Sequence, residues 1–195
     1  MERTTTVAVI GGGAAGLTAA HFLARAGVPV ELFDQDRSIL KRALLKNLPG
    51  AVELEGRELL ASLRAKLAAL AVPTAVAKVE DVQPSAAGFT VVAGEDQILA
   101  RYVVLATGQG TLKLASLEVE TAQARQPFVK VNVVTNNWGA TSVPGVWAAG
   151  VVAGWPSQAV VCAGSGANVA IEIISALKGE FWVDHDDSTL APDPA

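Results

Sequence analysis

Gly11, Gly13 and Gly16 stand at G-x-G-x-x-G spacing, directly behind the apolar run Val7-Ala8-Val9-Ile10 and ahead of the alanine-rich segment Ala14 to Ala26. A buried strand that turns on glycine into a helix is the setting in which a dinucleotide pyrophosphate is held. At such a turn Gly11 lets the chain leave the strand, Gly13 keeps a side chain out of the path of the phosphates, and Gly16 lets the helix lie close on the sheet. Ala14 and Ala15 open that helix, whose free N–H groups and positive dipole end attract anions. Asp34 closes the strand-like run Val28 to Phe33, 18 residues beyond Gly16. An acid at that place bonds ribose hydroxyls and repels a 2′-phosphate, although a turn residue or helix cap would also suit it. Thr107-Gly108 ends a further buried run, Tyr102 to Ala106, and again brings backbone to the carboxyl edge of a sheet.

Two other reactive types stand out less. Cys162 is the only cysteine, which excludes an intramolecular disulfide or a C-x-x-C pair and points to a reducing, cytoplasmic setting. It falls just before the last predicted helix, Ala163 to Leu177, where a helix N-terminus lowers a thiol's pKa. That makes it a candidate catalytic residue; the competing reading is a small buried core residue. His21 sits within the first helix and is given no role. The terminal Asp184-His185-Asp186-Asp187 reads as a solvated acidic tail over 184–195, and no metal site is assigned to it.

The elements that must position these residues follow from periodicity. A helix is expected from Ala14 to Ala26, a second parallel strand over Val28 to Asp34, and a loop with a helical turn from Asp36 to Lys46. Asn47-Leu48-Pro49-Gly50 is a turn signal. Leu59, Leu60, Leu63, Leu67 and Leu70 recur at helical spacing between Gly56 and Ala71, with Arg57, Glu58, Arg64 and Lys66 expected outward. Short strands over Ala75–Val82, Gly88–Ala93 and Gln97–Arg101 read as a meander, separate from the buried strand Tyr102–Ala106. The stretch 109–126 is a low-signal connection. Strand character resumes at Phe128 to Val131 and again at Gly145 to Gly150.

The apolar fraction of 51% and charged fraction of 17% suit a parallel sheet covered on both faces, in an α/β domain spanning residues 1–183. A net charge of −4 argues against nucleic acid or an anionic membrane as partner. Met1 to Thr6 leads straight into a strand, so no secretory leader is expected. Val131 to Ile171 is a run of 41 uncharged residues. It is too often broken by glycine and proline for a membrane span, and fits the wall of a large, mostly apolar ligand.

Taken together, these segments resemble the FAD domain of the thioredoxin reductase family of flavoproteins. The likeness is carried by Gly11-Gly12-Gly13-Ala14-Ala15-Gly16, Asn47-Leu48-Pro49-Gly50, Gly56 with Leu59, Val104-Leu105-Ala106-Thr107-Gly108, Thr141 through Gly150, and Gln158 leading to Ala163-Gly164-Ser165-Gly166. It implies the FAD/NAD(P)-binding three-layer fold: a central parallel β-sheet, helices on one face and a three-stranded β-meander on the other. It also implies bound FAD, with Gly11, Gly13, Ala14 and Ala15 at the pyrophosphate, Asp34 and Gln35 at the adenosine ribose, and Val79 meeting adenine through its backbone. Ala106, Thr107 and Gly108 would follow the phosphates, while Asn47, Gly150, Val151, Gln158 and Ala159 would lie toward the ribityl and flavin end. The last helix would aim its N-terminus at the flavin C2 carbonyl, where charge gathers on reduction.

Three departures from that family bear on function. A nicotinamide-nucleotide domain is inserted in the family where only 109–126 stands here, the redox dithiol is absent, and Val151 replaces the aspartate that follows Ala-Gly. The leading expectation is a flavin-mediated oxidoreductase whose electrons come from external NAD(P)H or a redox-protein donor. The alternative is a non-catalytic flavin module or a subunit of a larger redox complex. A site for NAD would leave Gln158 and the last glycine-rich helix without a ligand. Low charge content and the family's dimers point to a homodimer.

Overall fold

A computed structural model of the chain describes residues 3–109 and 116–183. The acidic tail and its Asp184 to Asp187 cluster lie outside the described residues. In chain order the elements are β1 (Arg3–Ile10), α1 (Ala14–Arg25), β2 (Val30–Phe33), a 3-10 turn (Ile39–Arg42), β3 (Leu44–Leu45), β4 (Leu54–Glu55), α2 (Gly56–Ala69), β5 (Thr74–Ala75), β6 (Asp81–Ser85), β7 (Gly88–Ala93), β8 (Asp96–Leu105), β9 (Thr121–Gln123), β10 (Val131–Val133), β11 (Val146–Ala148), a second 3-10 turn (Gly150–Ala153) and α3 (Ala159–Lys178).

Strands β5, β2, β1, β8 and β11 run parallel, in that spatial order, and β6 and β7 extend the sheet antiparallel from β8. Because side chains alternate across a strand, β1, β2, β8 and β11 each feed two cores. Val7, Val9, Leu32, Val104 and Trp147 face α1, α2 and α3, against Leu17, Leu23, Leu60, Leu67 and Ile173. Ala8, Ile10, Phe33, Val103, Leu105 and Val146 face the meander, against Val82, Phe89, Val91 and Ile98. Burial on both faces is why these strands read as continuous apolar runs. Helices lie on one face and the β6–β7–β8 meander on the other, as the three-layer expectation requires.

The helices have legible signals. α2 starts with a reciprocal capping box between Glu55 and Glu58, and α3 stops at Gly179, which turns left-handed at φ +74°. α1 and α3 pack together closely enough that a Cβ on Gly166 would land on the carbonyl oxygen of Ala15. By length and composition α3 would pass for a membrane span, yet Val169, Ala170, Ile173 and Ile174 are buried in the helix-side core.

Several boundaries differ from the sequence expectation. The expected strands Gln97–Arg101 and Tyr102–Ala106 merge into one ten-residue strand, β8 (Asp96–Leu105), with Ala106 just beyond its end. No breaker separates them, and β1 pairs along nearly the whole length of β8, from Arg3 with Ile98 to Ile10 with Leu105. The expected strand Ala75–Val82 divides into the ends of β5 and β6, and the segment between them carries the buried Val79 without a ladder. The connection 109–126 contains β9, which pairs with β10; the expected strand at Phe128–Val131 starts later, at Val131. α3 begins a turn early, at Ala159, because packing of Ala159 and Cys162 outweighs the extended preference of Val160 and Val161.

Candidate functional site

The register of the sheet places four strand exits side by side. Ile10 pairs with both Phe33 and Leu105, and Leu105 pairs with Ala148, so Gly11, Asp34, Ala106 and Ala149 stand one step beyond the same row. Backbone hydrogen bonds carry the ladder that one step further, from Gly11 N to Phe33 O at 2.8 Å, Ala106 N to Ile10 O at 2.8 Å and Ala149 N to Leu105 O at 2.9 Å. Ligands of open α/β sheets bind outside this carboxyl edge.

A cleft of about 560 Å³ runs along it, within the range of small-molecule and cofactor sites. One end is formed by Asp34, Gln35 and Val79, the middle by the glycine turn with Ala106, Thr107 and Gly108, and the other end by Gly150, Val151, Ala159 and Cys162. The fold therefore gathers Gly11, Gly13, Ala14, Ala15, Asp34, Gln35, Val79, Ala106, Thr107, Gly108, Gly150, Val151, Ala159 and Cys162 around one space. Asn47 and Gln158 are not part of its lining: Asn47 is exposed in the turn after β3, and Gln158 is exposed at the N-cap of α3. Arg37, Ser38, Lys78 and Ser157 line the cleft and carry no motif that marks them in the sequence.

Two helix N-termini meet this cleft. α1 starts after Gly13 and α3 after Gln158, neither with a side-chain cap nor an acidic residue in its first turn. Their first N–H groups are left for a ligand, and their dipoles favour negative charge at both places. Gly11 takes φ +119°, and a Cβ on it would strike the Ala106 carbonyl oxygen. A Cβ on Gly13 would meet only Ser38 Oγ, 3.7 Å away, so that side of the turn is open.

Cys162 corrects one expectation. It is not ahead of the last helix but its fourth residue, 8% exposed, with its thiol donating to the Pro156 carbonyl at 3.4 Å. Burial pushes its pKa up, more than a hydrogen bond involving the Val151 backbone pulls it down. At Val151, the carbonyl accepts from Asn132 Nδ2 at 2.8 Å, which ties β10 to the cleft wall beside α3. Among the described residues no group of three metal-binding side chains occurs.

Arg64 is the residue missed in the sequence. Its place among outward charges of α2 suggests a solvated residue, but its guanidinium bonds Asp34 Oδ2 and Asp36 Oδ1, each at 2.8 Å. The available signal was Asp34 itself, since a carboxylate at a buried sheet edge calls for a counter-charge.

An edge cleft shared by a glycine turn and two helix N-termini without side-chain caps is the geometry of a dinucleotide-binding α/β fold. A family model described as pyridine nucleotide-disulphide oxidoreductase matches residues 5–131. The chain belongs to that family. Among solved structures it is similar to a thioredoxin reductase from Gloeobacter violaceus, at TM-score 0.81 and 19% identity, covering 96% of this chain and 100% of that one. It is also similar to the atypical thioredoxin reductase TRi from Desulfovibrio vulgaris Hildenborough, at TM-score 0.80 and 18% identity over 90% and 99% of the two chains. A third is the ferredoxin-flavin thioredoxin reductase from Clostridium acetobutylicum, at TM-score 0.75 and 15% identity over 92% and 100%. A search of curated proteins finds no match. The fold is thus the FAD/NAD(P)-binding α/β fold of thioredoxin reductase-like structures.

Proposed function

We propose that the chain binds FAD along the carboxyl edge of its sheet and serves flavin-mediated electron transfer, with donor and acceptor supplied by other molecules. The observation that carries this reading is the single cleft that joins Asp34 at one end to the N-terminus of α3 at the other, with the N-terminus of α1 between them. A dinucleotide with one pyrophosphate and a second electron-rich ring system matches that spacing of donors better than a mononucleotide does.

Bound FAD would supply reversible one- and two-electron transfer at its isoalloxazine ring. The chain's own part is binding and tuning. Gly11, Gly13, Ala14 and Ala15 seat the pyrophosphate on backbone N–H groups, Asp34 with Gln35 takes the adenosine ribose, and the Val79 backbone meets adenine. Ala106, Thr107 and Gly108 follow the phosphates. Gly150, Val151, Ala159 and the adjacent Gln158 form the flavin end, where the α3 dipole favours negative charge and so favours the reduced form. Asn47, which the resemblance implies as a further contact, is exposed in the turn after β3 and stands outside the cleft lining.

A second reading, a non-catalytic flavin carrier or subunit, is favoured by Cys162, whose burial raises its thiol pKa, and by Val151 where the resemblance implies an aspartate. The cytoplasmic setting and the homodimer belong to the proposal in the same way. Purified protein that is yellow and releases FAD by mass establishes the cofactor; a bound NAD replaces the flavin reading. Anaerobic mixing with NADH, NADPH or a reduced ferredoxin-type protein then separates the two readings. Bleaching of the flavin supports the oxidoreductase, and flavin that no donor reduces supports the carrier.

A further inference from the structure

The Asp34 carboxylate is held from three sides. Gly12 makes room for it, since a Cβ there would fall on the carboxylate itself. Oδ1 accepts the Asp36 N–H at 2.8 Å, and Oδ2 accepts Arg64 at 2.8 Å. Asp36 makes its contribution from a left-handed backbone, φ +56°, a conformation that costs a non-glycine residue energy and persists only where neighbours impose it. The same Arg64 nitrogen bonds the Asp36 side chain at 2.8 Å, so one guanidinium holds both the acid and the strained residue that presents its N–H to it.

Docking of α2 does not rest on this pair alone. Leu60 and Leu67 on the same helix are fully buried in the helix-side core, which already fixes α2 against the sheet. Arg64 instead reaches the cleft wall, where its partner Asp34 is 6% exposed and lines the adenosine end. A carboxylate has about four acceptor positions, so these two bonds leave room for a ribose diol while fixing the direction in which it is accepted.

We propose that Arg64 is a positioning residue for adenosine-ribose recognition: through its bonds to Asp34 and Asp36 it holds the Asp34 carboxylate at the angle that reads the ribose hydroxyls. The inference rests on the FAD reading above. It makes α2 part of the cofactor site, although no residue of α2 lines the cleft.

The test is a set of FAD titrations on the full chain, followed by flavin fluorescence, for the wild type, Arg64→Met, Arg64→Lys, Asp34→Asn and the double variant Arg64→Met/Asp34→Asn. Each titration is repeated with ADP and 2′-deoxy-ADP as competitors. The expected result is about tenfold weaker FAD binding for Arg64→Met, from a lost charge-assisted bond, partial recovery in Arg64→Lys, and a double variant no weaker than Asp34→Asn alone. The preference for ADP over its 2′-deoxy form falls in Arg64→Met, which a purely structural role would not change. Wild type that binds FAD, beside an Arg64→Met that binds equally well or whose loss adds to that of Asp34→Asn, overturns the inference and leaves the FAD reading standing. Wild type that binds no FAD overturns both. Should Arg64→Met not fold, Arg64→Lys carries the comparison, and an unchanged ADP to 2′-deoxy-ADP ratio in it overturns the inference.

Discussion

Ser165 holds Gly150 in place: its hydroxyl accepts the Gly150 N–H at 2.8 Å and donates onward to the Cys162 carbonyl at 2.7 Å, all three groups on or beside the cleft wall. One buried side chain thereby couples the exit of β11 to the first turns of α3. Ser165→Ala leaves a buried N–H without a partner, at about 1–3 kcal/mol. Thermal unfolding should fall by several degrees, and cofactor affinity should fall with it because Gly150 and Val151 lose their anchor. A melting curve and an FAD titration measure the two effects separately.

Gly13 separates stability from binding. It is the N-cap of α1, where aspartate is among the best residues, and the space beyond its Cα is open. Gly13→Asp should therefore leave the apo protein as stable or slightly more so, while its carboxylate repels an anionic pyrophosphate. The expected outcome is an unchanged or raised melting temperature together with loss of FAD binding. A variant that still binds FAD as the wild type does would move the pyrophosphate away from this turn.

Val151 offers the reverse experiment. The residue is 6% exposed and apolar, at the place where the resemblance to the thioredoxin reductase family implies an aspartate. Val151→Asp buries a carboxylate in the apo protein, so the apo form should melt lower. On the proposed FAD reading the same carboxylate would gain a ribityl hydroxyl, and affinity should rise by about tenfold, the value of one hydrogen bond to a charged group. The diagnostic is opposite signs in apo melting and in FAD affinity.

For Cys162 the sign of the pKa shift sets a pH dependence. Burial raises the folded-state value above the ordinary 9.0, so the folded state binds its proton more tightly than the unfolded state does. The stability this contributes is fully present below the unfolded pKa and is lost as pH rises through the raised folded value, which places the loss in the alkaline range. Iodoacetamide should label Cys162 slowly at pH 8 in folded protein and rapidly once the chain is unfolded. Cys162→Ser should leave flavin reoxidation unchanged; a slowed reoxidation would restore the thiol to a catalytic role.

Much of the fold and part of the site were legible in the residues in order. The strand, glycine turn and helix from Val7 to Arg25 follow from local chemistry, because apolar continuity, glycine spacing and the first helical turn all lie within about twenty residues. The family likeness rested on comparably local segments, and the order of those segments was enough to reach the class of fold. Where two propensities competed over a few residues, as at Val160-Val161 or between Arg101 and Tyr102, the outcome depended on what packed against them.

What the sequence by itself determined is therefore the set of pieces: a strand that must be buried on both faces, a turn that must admit a close approach, and an acid about eighteen residues on. Only the tertiary structure decided how they meet. The register between β1, β2, β8 and β11 puts Gly11, Asp34, Ala106 and Ala149 in one row, and no local pattern encodes a register between strands nearly a hundred residues apart. The same holds for Arg64, thirty positions from Asp34, whose charge reads as solvated until the fold turns it toward a buried acid. Hydrophobic patterning specifies which face of an element is covered; the partner of a particular charge is set by three-dimensional packing, which brings together groups that are distant along the chain.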